Sequence, residues 1–316
     1  MKILEIDYTT KIEFSSPVSD HYFMLRCVPV SRDGQTVIAR NLSITPEVPL
    51  ITSRDIFGNI SYQGRIDFPH TELVSHSTAT VIVDRDKGCN ETCYPLYKYN
   101  TPLTQTSIEM EDFLYSLFEN TDFKDSAKSK KIHPREFSLA AEIIREGIHN
   151  VIDYVPGSTN VRTTAQEAFK NGKGVCQDYS QIFCSLCRTA GIPARYIAGT
   201  SQGEGSTHAW AEYFVPDNGT IATNGTTMQG RWYGVDCTRN KNTDNTYVIL
   251  ASGRDYQDCK VDGGIFRGVA NQTMTVFVKT QEKEIRRNQD QEHSHPVFNL
   301  EEQKKLLKQR NQNQQM

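Results

Sequence analysis

The first 85 or so residues carry strand-like alternation and little else. ILEIDYTTKIEF, HYFMLRCVPV, NLSITPEV, SYQGRIDF and STATVIVD each alternate apolar and polar positions, separated by Pro, Gly, Asn and Asp. Period-two alternation puts successive side chains on opposite faces, so these segments predict strands with one buried face. Short strands at this spacing predict an antiparallel β-sandwich over residues 1–85, with DIFGN (55–59) as the turn into the fourth strand. Residues 86–107 carry turn formers without periodicity and read as a linker.

Beyond them the period changes. Met110, Phe113, Leu114 and Leu117 recur at helical spacing, as do Phe137, Ile144, Ile148 and Ile152 after Pro134. TTAQEAFKNG predicts a short helix, with Thr163 and Gln166 at capping-box spacing and Gly172 as its stop. A further helix, 176–190, ends at Gly191 and Pro193. ARYIAGT, HAWAEYFV, RWYGVDC, TYVILA and MTVFVKT then predict strands. Helices followed by strands, without βαβ alternation, make residues 108–280 an α+β unit. From 281 to 316 the chain is polar and reads as a mobile tail, with a short amphipathic helix expected around Leu300–Lys308.

Composition adds exclusions. In 316 residues the formal net charge is −3, which gives no electrostatic basis for binding nucleic acid or an anionic membrane. No apolar run approaches the roughly 20 residues of a membrane-spanning helix. MKILEIDYTTKIEF reads as a first strand rather than an export signal. The eight cysteines are therefore expected as reduced thiols in the cytoplasm, and the Asn-Gly-Thr triplets at 218 and 224 as loop chemistry rather than glycan acceptors.

The chemistry concentrates in NGKGVCQDYSQIFCSLC. Cys176 opens a helix, where the positive end of the helix dipole favours a thiolate and a free N–H can face an oxyanion. His208, 32 residues on, begins one predicted strand, and Asp236, 28 residues further, ends the next. Neighbouring antiparallel strands can hold these two side by side at the helix tip, which gives a Cys-His-Asp triad of nucleophile, base and orienting carboxylate. The competing readings are a buried free cysteine, a core histidine and a turn carboxylate. Each of the three stands at an element terminus, and the elements are consecutive, which favours the triad.

GKGVCQDYS, AGIPARYIAGT, THAWAEYF and YGVDCTRN resemble the four core motifs of the transglutaminase-like cysteine-enzyme superfamily. GRDYQDCKVDGGIFRG (253–268), DIFGN and FPHTEL resemble segments of its bacterial branch, so the resemblance spans about residues 1–280. It implies a papain-like α+β core preceded by a β domain, with Cys176 as nucleophile, His208 as base and Asp236 as orienter. It also implies acyl chemistry on amides through a thioester, as in peptidases, amidases and cross-linking enzymes, with no metal or other cofactor. The chain departs from the family where Asp-Pro-Thr becomes Asp236-Cys237-Thr238. Cys237 reads as a small buried residue, with a redox role as the rival. VPDNGTIATNGTTMQGR, between the His and Asp strands, reads as a hairpin walling one side of the cleft.

The remaining candidates carry weaker signals. Asp178 and Arg195 read as an ion pair joining the helix start to the next strand. Tyr154, Gln177 and Trp210 are candidates for an oxyanion donor or cleft wall, and Trp210 and Trp232 equally for core packing. Cys184 and Cys187 share the helix side of Cys176 and read as its packed flank. CSLC meets zinc-ligand spacing inside a continuous helix without a turn or nearby His; CNETC (89–93), in the linker, meets it too and is the better metal candidate. The leading reading is hydrolysis of a peptide, protein or other amide. Amine transfer, a non-catalytic binding module and a redox or metal protein are the alternatives.

Overall fold

The structure, a computed structural model, describes residues 1–122, 124–129, 132–217 and 227–283. The expected tail with its Leu300–Lys308 helix, and the tip of the expected hairpin, lie outside the described residues.

In chain order the first five strands are β1 (Lys2–Leu25), β2 (Gln35–Thr45), β3 (Ile51–Arg54), β4 (Ile60–Ile66) and β5 (His70–Val83). There follow β6 (Cys89–Asn90), α1 (Ile108–Leu117), α2 (Lys124–Lys128), α3 (Phe137–Val151), β7 (Asp153–Tyr154), α4 (Ala165–Asn171), β8 (Lys173–Gly174) and α5 (Cys176–Thr189). The rest is β9 (Ala194–Ser201), β10 (Gly203–Gly205), β11 (His208–Pro216), β12 (Gly230–Asp236), β13 (Lys241–Asn242), β14 (Tyr247–Gly253), β15 (Asp262–Arg267) and β16 (Gln272–Glu282). This is the α+β class expected.

The first two expected strands are one. β1 buries Ile6, Tyr8, Thr10, Ile12 and Phe14 in strict alternation and runs on through Ser15, Ser16 and Pro17. Up to Phe14 it pairs with β5 and β16; from Ser19 onward it pairs with β4 and β15. Pro17 falls at the hand-over between partners, where a missing N–H breaks no ladder bond. β3 escaped the sequence because all four of its residues are exposed, so it has no alternation to read.

Two expected boundaries differ from the fold. β15 and β16 do not stay with the helical unit; β16 pairs with β1 from Leu4↔Glu282 to Phe14↔Gln272, so the chain returns to its first strand. The segment expected as a linker is also packed. β6 pairs with β12, Cys93 bridges Met228, and Cys89, Cys93, Tyr97, Phe214, Met228 and Trp232 form one apolar cluster. Burial pushes both thiols of CNETC up to about 12, as for thiols packed in an apolar cluster.

The second sheet has the order β13-β12-β11-β9-β14. α5 packs on it, and every residue from Asp178 to Thr189 is buried, Cys184 and Cys187 among them. α4 is capped by Thr164 and Glu167, one residue beyond the expected Thr163–Gln166 pair: the Thr164 hydroxyl accepts from Glu167 N and the Glu167 carboxylate from Thr164 N. Gly172, at φ 63°, ends it as expected.

β14 is the edge of this sheet, and two side-chain amides of the N-terminal module complete it. Gln35 donates to Ile249 O (2.9 Å) and accepts from Ile249 N (2.8 Å). Asn59 does the same with Ser252 O and N, both at 2.8 Å. Each amide mimics one residue of a neighbouring strand. Val248 and Leu250 meanwhile pack with Leu4, Ile6 and Val81 in the core of the β module.

A buried ion chain crosses the same junction. Glu212 takes Arg85 on one oxygen and Arg195 Nε on the other (2.8 Å). Arg195 Nη1 reaches Glu91 (2.7 Å), and Glu91 reaches Arg32 (3.1 Å). The Arg195 guanidinium also lies 4.3 Å over the Trp232 ring.

Candidate active site

The loop before α5 is held by the helix's own third residue. Asp178 Oδ2 accepts from Val175 N (2.8 Å) and from Thr159 Oγ1 (2.6 Å), which ties the entering chain to the first turn. Gly174 leaves the room, since a Cβ there would fall 2.6 Å from Asp178 Cβ. Burial raises the Asp178 carboxyl above its usual range against the lowering effect of these bonds. The expected Asp178–Arg195 ion pair is absent: Asp178 serves the helix cap, and Arg195 is committed to Glu212 and Glu91. α5 begins at Cys176, so the N–H groups of Cys176 and Gln177 have no intrahelical acceptor and can receive an oxyanion.

β11 and β12 are adjacent and antiparallel, and this places His208 against Asp236. His208 Nε2 lies 2.7 Å from Asp236 Oδ2. With Nε2 engaged, Nδ1 is the ring nitrogen left for Cys176, which lines the same cavity as His208. Burial pushes the His208 pKa down, but the neighbouring Asp236 and Cys176 outweigh it and raise it to about 9.

Asp236 is fully buried and saturated. Besides His208 it accepts Tyr247 OH (2.8 Å) and Arg239 N (3.1 Å), and Arg239 Nη1 donates to the same Tyr247 oxygen (3.1 Å). Burial raises its carboxyl, yet His208 and Tyr247 more than compensate, and the pKa lies below the usual range. Tyr247 and Arg239 were not singled out from the sequence. Arg239 stood inside a quoted motif, but nothing local to Tyr247 signals its role, because pairing alone brings β14 to this site.

Trp210 is buried behind the imidazole, stacked on His208 at 6.3 Å and edge-on to Tyr247 at 5.2 Å. It holds the ring from the core side rather than walling the cleft. Gly199 faces His208 across the β9–β11 ladder; a Cβ there would sit 2.4 Å from Trp210 and 2.2 Å from Val248 O. Trp232 is away from the triad, among Phe214 and Tyr97. Tyr154 is exposed, and its phenol is raised by partial burial and then by Cys176, so it stands on the rim. Gln177 lines the cavity beside Cys176, its amide 3.4 Å from Asn160 O. Cys237 is buried under the site, and its carbonyl accepts from His149 Nδ1 (3.1 Å).

Residues 124–237, which hold Cys176, His208 and Asp236, match the profile of the transglutaminase-like superfamily. Residues 4–82 match that of the bacterial transglutaminase-like N-terminal region. The chain thus carries a transglutaminase-like core behind a bacterial transglutaminase-like N-terminal region. A solved structure of a candidate cysteine protease from Cytophaga hutchinsonii shares this fold: TM-score 0.58, 21% identity, 94% of both chains covered. An uncharacterized protein of Mycobacterium leprae is 24% identical over 295 residues, covering 87% of this chain and 97% of its own length. A protein-glutamine gamma-glutamyltransferase of Pseudomonas aeruginosa is 27% identical over 111 residues, 31% of this chain and 17% of its own length. The match of residues 124–237 to the transglutaminase-like profile supports the general class of cysteine enzymes. The two profiles stop short of β15 and β16, which complete the N-terminal sheet.

Proposed function

We propose that this transglutaminase-like protein is a cysteine-dependent acyl-transfer enzyme that hydrolyses amide bonds of a peptide or protein. The observation that carries the reading is one imidazole bonded to a fully buried carboxylate and lining the same cavity as a thiol at a helix N-terminus. His208 takes the Cys176 proton, and the thiolate adds to the amide carbonyl carbon. The oxyanion that forms faces the N–H groups of Cys176 and Gln177. The tetrahedral intermediate collapses, the C–N bond breaks, and the imidazolium gives its proton to the leaving amine. The resulting thioester is attacked by water, whose proton passes to His208 and then to the departing thiolate. Asp236 keeps the ring oriented and stabilises the imidazolium throughout.

The His208 side chain, 12% exposed at the cavity, leaves room for a small acceptor such as water to reach the base. A peptide amide should therefore give an acid bearing one solvent oxygen when turned over in oxygen-18 water, even with millimolar primary amine present. Mass spectrometry reads the product. A dominant amine adduct would replace hydrolysis with transfer, the reaction in the name of the Pseudomonas relative. No acyl product at all would remove the enzymatic reading.

The imidazolium also sets an alkaline limit. With His208 raised to about 9, kcat/KM should fall as pH rises through that value. Asp236→Asn should move the fall to lower pH and cut kcat/KM, because the carboxylate that lifts the pKa is gone. The sign for stability is the same. His208 contributes stability that is complete below its unfolded value, near 6.5, and is lost as pH rises through about 9. An alkaline limb that stays in place in Asp236→Asn would contradict the assignment.

A further inference from the structure

A cavity of about 200 Å³ opens beside the triad. Cys176, Gln177 and His208 line one side; Tyr8, Asp262 and Val276, all from strands of the N-terminal sheet, line the other. A water occupies about 30 Å³ of liquid, so the cavity has room for one side-chain-sized group. Its walls are mostly apolar, with Val261, Val276 and Ala198 among them. Asp262 is the exception. Its Oδ2 accepts from Tyr8 OH (3.1 Å) and Thr10 Oγ1 (3.4 Å), while its buried Oδ1 has no hydrogen-bond partner among the described residues. No Lys, Arg or His forms an ion pair with it among the described residues.

We propose that Asp262 makes this cavity selective for acyl substrates that carry a positively charged amine beside the scissile carbonyl. The inference rests on Cys176 being the nucleophile. An apolar wall suits the methylene stem of such a group, and the Asp262 carboxylate, which lines the cavity, suits its ammonium head. Burial raises the Asp262 carboxyl to about 6, which leaves it ionised at neutral pH despite its surroundings. A buried carboxylate oxygen without a partner is costly, and a bound cation satisfies it. Asp262 would act on substrate choice, not on the chemical step.

The test compares anilides of acetyl-lysine, acetyl-norleucine and norleucine with a free amino group. Acetyl-lysine measures a basic side chain, and free norleucine measures an α-ammonium. One of the two should exceed acetyl-norleucine in kcat/KM by about ten-fold or more. Asp262→Asn, which keeps an oxygen for Tyr8, should erase that preference and leave acetyl-norleucine within about two-fold. No preference in the native protein, or one that survives Asp262→Asn, overturns the inference. A second measurement does not depend on turnover: the rate of Cys176 alkylation by 2-bromoethylammonium relative to iodoacetamide. Asp262→Asn should lower this ratio by about ten-fold; an unchanged ratio also overturns the inference. A Cys176 that reacts with neither reagent overturns the catalytic reading, and the inference with it.

Discussion

Cys176→Ser should lower kcat for amide hydrolysis by at least about a thousand-fold and leave the thermal midpoint within about 2 °C of the native value. The large activity loss follows from the chemistry. A serine hydroxyl is far harder to ionise than a thiol, and a helix N-terminus with an imidazole tuned for a thiolate cannot make up that difference. The small stability change follows from position. Cys176 is only partly buried, at the rim of a cavity, so an oxygen in place of sulfur leaves no void. Steady-state assays on a peptide amide, with thermal unfolding measured in parallel, separate the two effects. Retention of even a tenth of the native kcat would remove Cys176 as nucleophile. The other seven cysteines are buried, and they offer no accessible substitute.

The largest stability effect is expected away from the triad, at Glu212. Glu212→Gln should cost about 3–5 kcal/mol in unfolding free energy. The fully buried Glu212 carboxylate neutralises Arg85 and Arg195, themselves nearly inaccessible, so the substitution strands two guanidinium groups in the interior. Glu91 still meets Arg195, but Arg85 has no other acidic ion-pair partner among the described residues. Burial pushes the Glu212 carboxyl up, and the two arginines outweigh it, so its pKa is lowered. Its contribution is therefore present above the unfolded value, near 4.3, and is lost as pH falls through the lowered one. Urea titration at neutral pH measures the cost, and a change under about 1 kcal/mol would mean the chain of charges is not holding the junction.

The parts legible beforehand are those with local signals. Helix starts, glycine stops and the order of the last unit's strands follow from periodicity and capping chemistry, as at Gly172 and Gly191. Cys176, His208 and Asp236 stand out in the sequence because each is placed at an element end, and the fold keeps them there. Pairing between distant segments was not legible. Nothing near residue 272 says that β16 lies against β1, and β3 has no buried face to write a pattern. The same limit applies within the site: Tyr247 and Asp262 arrive on strands whose neighbours are set by the whole fold. Asp178 and Arg195 show the converse error, since two charges in apolar motifs invite pairing with each other when each already has nearer partners.

The amides of Gln35 and Asn59 have a consequence for how the chain can be divided. A strand at a sheet's border is a template for strand addition by another molecule, and here four of its backbone groups are already occupied. Trimming the chain to the residues around the triad would strip that cover, bare Val248 and Leu250, and create a surface prone to self-association. The N-terminal module thus seals the border of the sheet that carries His208 and Asp236, and the two are expected to express as one piece.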